Sequence, residues 1–157
     1  MILQLLTLFA LSVTALLAGV HLAGGLGLNP AMRSLDGAYY LAIKTAADRE
    51  FPRLARPLML AALAAGIAVV VIATVGGHRS VVVAASVASG ALAVTLLAIV
   101  RGDLPINRRM ASWSADGLPA DWQQVRARWE RFFTVRVVTT LIAVLALAVA
   151  VVLARDA

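Results

Sequence analysis

Cysteine is absent from the 157 residues, which excludes disulfides, thiolate zinc sites, Cys-ligated iron–sulfur clusters and thiol redox chemistry. Histidine is scarce. His21 and His78 are the only two, too few for a histidine-rich metal site. Charge is scarce as well: 14% of residues are charged, against roughly 25% in an ordinary globular chain. A soluble cytoplasmic enzyme is thereby excluded. Ala, Val and Leu fill the space instead, with 62% hydrophobic residues and a mean hydropathy of +0.92. The net charge of +6 would suggest nucleic acid in a soluble protein. Here the basic residues crowd beside hydrophobic runs, as at an anionic membrane surface, and no nucleic-acid partner is expected.

A helix needs about 20 apolar residues to span a bilayer. Four stretches qualify, at 2–22, 57–75, 81–100 and 137–153. The first is expected to stay as a span rather than be cleaved as a signal peptide, because Met1-Ile2-Leu3-Gln4 carries no basic residue and the apolar run is too long. Twelve of the 14 Lys and Arg residues lie between spans one and two or between spans three and four. Arg79 and Arg155 are the two others. The positive-inside rule then puts both long loops in the cytoplasm and both termini outside, in an inner or plasma membrane.

The fold expected is all-α: one integral membrane four-helix bundle over residues 1–157. In the first long loop Asp36 is a plausible N-cap, and Tyr39, Ile43 and Ala46 or Ala47 recur as in an amphipathic helix lying on the membrane. In the other loop Trp122, Val125, Trp129, Phe132 and Phe133 form a stripe that runs into the last span without Gly or Pro. Helix four is therefore expected to run unbroken over 119–153, about 50 Å, with its first third in the cytoplasm. Asn29-Pro30 and Asp103-Leu104-Pro105 are expected to end the first and third helices at one level. Ala15/Gly19, Ala62/Gly66 and Ser86/Gly90 are candidate small-residue helix contacts.

Few residues are equipped for chemistry. His21 suits a general base near neutral pH, or else a plain interfacial histidine bonded to the next helix. His78 lies in a short loop at the far side and is too distant to share a ligand with it. Ala23-Gly24-Gly25-Leu26-Gly27 loosely suggests a phosphate loop, but no Lys-Ser/Thr follows and no strand precedes it. Arg136 directly precedes an apolar run, so it snorkels or meets Asp36, Asp48, Glu50 or Asp103. Trp113, Trp122 and Trp129 fit an interfacial aromatic belt. His21, Asn29, Asn107, Trp129 and Arg136 come from separate segments but one level, and are expected to converge on one cavity.

Asn29-Pro30, Tyr39 with Asp48-Arg49-Glu50-Phe51-Pro52, Leu104-Pro105-Ile106-Asn107-Arg108-Arg109 with Trp113, and Trp122…Arg126-x-Arg128-Trp129…Arg136 together resemble the anthrone-oxygenase-like family. These are four-span membrane proteins, mostly of unknown function. The resemblance implies proton removal from an anthrone-like methylene, giving an enolate that transfers an electron to oxygen. In that case His21 is the base, Asn107 and Arg136 stabilise the oxyanion, and Asn29, Tyr39, Arg108 and Trp129 hold the substrate. No cofactor is then expected, and molecular oxygen is the co-substrate. The family pattern often has His or Asn shortly before the fourth-helix arginine, where this chain has Phe133. Three readings stand: a cofactor-independent oxygenase of a hydrophobic aromatic or polyketide-like molecule, a non-catalytic membrane protein binding a lipophilic ligand, lipid or partner, and a different small-molecule enzyme or transporter component. Self-association as a homo-oligomer is open under all three.

Overall fold

The structure is a computed structural model that describes residues 1–114 and 117–155. The terminus at Ala157, expected on the outer side, lies outside the described residues. Four long helices make up the fold: α1 (Ile2–Arg33), α2 (Gly37–Val75), α3 (Arg79–Met110) and α4 (Trp122–Leu153). Each is long and apolar enough to cross a membrane. Short connections make sequence neighbours antiparallel, and α4 closes the ring by packing on α1 as well as α3. The C-terminal ends of α1 and α3 and the N-terminal ends of α2 and α4 share one end of the bundle with most of the arginines. The tight Gly76-Gly77-His78 turn caps the other end, with Gly77 at φ +75°.

The apolar spans and the unbroken fourth helix are as the periodicity predicts, though α4 starts at Trp122, not near Pro119. The proline breaks are not. Asn29-Pro30 does not end the first helix, nor does Leu104-Pro105 end the third. Each proline follows a π-helical turn, Ala23–Leu28 or Ile99–Asp103, beyond which the α-helix resumes. The Asn29 N–H reaches the Gly24 carbonyl, and the Leu104 N–H reaches the Ile99 carbonyl, both five residues back. A widened turn ahead of the proline absorbs its missing donor and its ring, so the helix continues instead of stopping.

The first long loop is also different from expectation. It holds no separate surface helix, because Asp36 caps a single 39-residue helix, accepting from the Tyr39 N–H at 3.1 Å, that runs through Pro52 and Pro57. Pro57 therefore lies inside α2 rather than opening a span. The reason is register. Tyr40, Lys44, Met59, Ala62, Gly66, Val69 and Ala73 are buried at helical spacing on both sides of the prolines, so one inward stripe holds the helix together.

Alanine dominates the core. Ala10, Ala62, Ala73, Ala85, Ala88, Ala143 and Ala150 are fully buried, interleaved with Leu17, Leu92 and Leu147. Buried Thr7 and Thr14 donate to carbonyls four residues back, at 2.7 Å each, so their hydroxyls are satisfied within α1. Of the three small-residue pairs, Ala62/Gly66 packs inward, where Gly66 faces Ser89 of α3. Ala15/Gly19 and Ser86/Gly90 do not; all four residues are exposed on the outer surface. Their spacing is right but their phase is off the buried stripe.

A Cβ built on Gly102 would fall 2.2 Å from the Phe132 ring, whereas one on Gly90 would meet nothing within 4 Å. Gly102→Ala is therefore expected to destabilise the bundle by about 1–3 kcal/mol. Gly90→Ala should stabilise it by about 0.5–1 kcal/mol through helix propensity. Thermal unfolding of the two variants in detergent checks the contrast.

Candidate functional site: a cavity at the arginine-rich end

The two π turns and two phenylalanines build the site. Phe133 of α4 lies on Gly24 and Gly25 of α1, where added Cβ atoms would fall 2.5 and 2.9 Å from its ring and from Val137 respectively. Phe132, the next residue round, lies on Gly102 of α3. The glycines thus admit two aromatic rings at the wide turns, and the phosphate-loop reading of Gly24-Gly25 has no role to fill. On the inner side, all four helices line a cavity of about 270 Å³. Leu17, Met59, Leu96 and Phe133 make much of its wall apolar, and Phe51, Arg56 and Leu60 of α2 form its exposed rim.

Polar groups gather on this otherwise apolar wall. Arg136 pairs with Asp103, its guanidinium lying 4.5 Å from the Phe133 ring centroid. Of the four carboxylates available by sequence, burial and the α3–α4 seam select Asp103. Lys44 Nζ pairs with Asp48, donates to Asn107 Oδ1 at 2.9 Å, and lies 4.4 Å over the Trp129 ring. Two cations and two anions therefore sit together with no net charge, as burial requires. His21 is 1% exposed, and its Nδ1 stands 2.9 Å from Thr140 Oγ1. The Thr140 hydroxyl in turn donates to the Arg136 carbonyl at 2.6 Å. With that proton engaged, Nδ1–H is the donor to Thr140, and the Nε2 lone pair is left free.

Seven buried side-chain polar atoms lack a hydrogen-bond partner among the described residues. Five belong to residues that line this cavity: His21 Nε2, Asn29 Oδ1, Asp103 Oδ1, Trp129 Nε1 and Arg136 Nε. Each unpaired group costs about 1–3 kcal/mol. Their concentration in residues around one cavity makes it the candidate site of the bundle. Among the described residues no group of three or more His, Cys, Asp or Glu is placed to hold a metal ion.

The cavity brings together His21, Asn29, Asn107, Trp129 and Arg136. It does not take in Tyr39 or Arg108. Tyr39 is 67% exposed and Arg108 is exposed, and neither lines the wall. Because α2 is continuous, its inward stripe falls on Tyr40, Lys44 and Asp48, which turns Tyr39 about 100° away. Tyr40 packs on Trp122, with ring centroids 5.7 Å apart, outside the cavity. Lys44 and Asp103 were missed as site residues. A signal for Lys44 existed: it is the one lysine in a chain whose other basic residues are all arginine. It also stands four residues before Asp48.

No family model, curated protein or solved structure matches the chain.

Removing one partner of the Asp103–Arg136 pair leaves the other charge buried and alone. Arg136→Met and Asp103→Leu are each expected to cost about 3–5 kcal/mol, and the double variant less than either single one. Detergent-to-SDS unfolding of the three proteins measures the coupling.

Proposed function

We propose that this chain is a membrane-embedded, cofactor-independent oxygenase of a hydrophobic aromatic molecule, acting by proton abstraction in the cavity described above. The observation that carries the reading is the His21 imidazole. Its Nδ1 is anchored on Thr140, its buried Nε2 has no partner among the described residues, and the residue lines a largely apolar cavity. That is the arrangement of a positioned base. Arg136 and Trp129, which line the same cavity, each keep an unpaired N–H, Nε and Nε1, that a small rotation would offer to an oxygen gaining charge as the proton leaves. Asn107 has its carbonyl oxygen engaged by Lys44, which turns its amide NH2 into a further donor. Asn29 supplies an acceptor for a substrate hydroxyl.

The oxygen step follows from the resemblance to the anthrone-oxygenase-like family. A doubly activated methylene loses a proton to His21, and the resulting enolate is oxidised by O2. The methylene becomes a carbonyl and the second oxygen atom leaves as water. The four-electron oxidation of carbon balances the full reduction of O2. The side chains bind, orient and deprotonate, and the substrate itself supplies the electrons. Phe133 favours a second reading, because it stands where the family pattern often carries a polar residue. In that reading the same cavity holds a lipophilic ligand without turning it over.

Purified protein in nanodiscs, given an anthrone and air, is expected to form the quinone, followed by absorbance. His21→Ala should lower kcat by about 10²–10⁴-fold while ligand quenching of tryptophan fluorescence persists. Quenching without turnover by the parent protein would move the assignment to the non-catalytic reading.

We also propose the orientation that the arginines imply, with the arginine-rich end cytoplasmic and both termini outside. A phosphatase reporter fused after the last residue is expected to be active. Fluorescence from a cytoplasm-dependent reporter at that position would reverse the orientation.

A further inference from the structure

On the outer side of the α3–α4 seam lies a second concavity, of about 340 Å³, that the proposed reaction does not use. Its floor is Phe132, Ile106 and Val125, and its edges are arginines: Arg101 and Arg109 from α3, Arg128 from α4. Arg109 is engaged, donating to both Asp121 carboxylate oxygens at 2.7 and 3.0 Å. Arg101 and Arg128 are exposed, and neither makes a hydrogen bond or ion pair among the described residues. Their level in the bundle is defined. Arg101 directly follows the apolar run of α3, and Arg128 lies one turn from Phe132, which seats on Gly102. Both cations therefore stand just past the end of the apolar belt, where lipid phosphates lie in a bilayer.

We propose that this groove is a binding site for the phosphate headgroup of an anionic phospholipid, held between Arg101 and Arg128 over the Phe132 floor. Charge complementarity selects the headgroup: two unpaired guanidiniums supply forked donors to a phosphodiester. The apolar floor selects a lipid over a free anion, since Phe132, Ile106 and Val125 offer an acyl chain a surface that inorganic phosphate does not use. The site stands apart from the cavity chemistry and does not rest on it.

The test uses the full chain reconstituted with phosphatidylcholine and phosphatidylglycerol in equal parts, then released for native mass spectrometry of retained lipid. The parent protein is expected to retain phosphatidylglycerol in preference to phosphatidylcholine. Arg101→Ala and Arg128→Ala should each weaken that preference about five-fold, and Arg79→Ala, at the other end of the bundle, should leave it unchanged. Arg101→Lys with Arg128→Lys keeps the charge and should keep most of the preference. Asp121→Asn frees Arg109 and should strengthen it, a gain that loss of folding cannot imitate. Equal retention of the two lipids by the parent would overturn the proposal. So would undiminished preference in the double alanine variant, or displacement of the lipid by millimolar inorganic phosphate, which would assign the groove to a free anion.

Discussion

Two adjacent phenylalanines on α4 set the geometry of the arginine-rich end. Phe132 occupies the space beside Gly102 on α3, and Phe133 the space beside Gly24 on α1. Both glycines belong to π-helical turns, and a proline follows each turn within a few residues. The three features depend on one another. A ring of that size reaches the backbone only where no Cβ stands, and the wide turn accommodates the proline that follows. Widened turns recur at functional sites because they displace a helix without ending it. Here they bring Asn29 and Asp103 onto the wall of one cavity.

The polar groups on that wall illustrate how an apolar bundle tolerates charge. Lys44, Asp48, Asp103 and Arg136 balance, and each cation also lies over an aromatic ring, Trp129 or Phe133. Such clusters contribute little net stability relative to a well-packed apolar alternative. In so hydrophobic a chain they form a concentrated polar centre beside the cavity. Among the described residues, five of the seven unpartnered buried polar atoms belong to residues around this one cavity, which sets it apart from the rest of the bundle.

Proton abstraction and lipid contact would draw on opposite sides of the same seam. Asp103 and Phe133 face inward to the cavity, whereas Arg101, Gly102 and Phe132 line the outer groove. Phe132 lies on Gly102, which belongs to the π turn that ends at Asp103.

Much of this fold was legible in the sequence. Four apolar runs, the stripe from Trp122 to Phe133 and the Asp36 cap each follow from hydrophobic periodicity or local hydrogen bonding, which act within one or two turns. The convergence of His21, Asn29, Asn107, Trp129 and Arg136 followed from their level along the spans. Other features needed the assembled bundle. Whether Asn29-Pro30 and Leu104-Pro105 stop a helix or let it run on depends on what packs against the turn before them, and the packing rings are distant in sequence: Phe133 lies more than a hundred residues from Gly24, and Phe132 about thirty from Gly102. The partner of Arg136, the burial of Lys44 and the outward turn of Tyr39 were likewise decided by tertiary contact. Chain length sets the level of a residue along its helix. Its azimuth on the helix, and so its partner, is set only when four helices choose a common register.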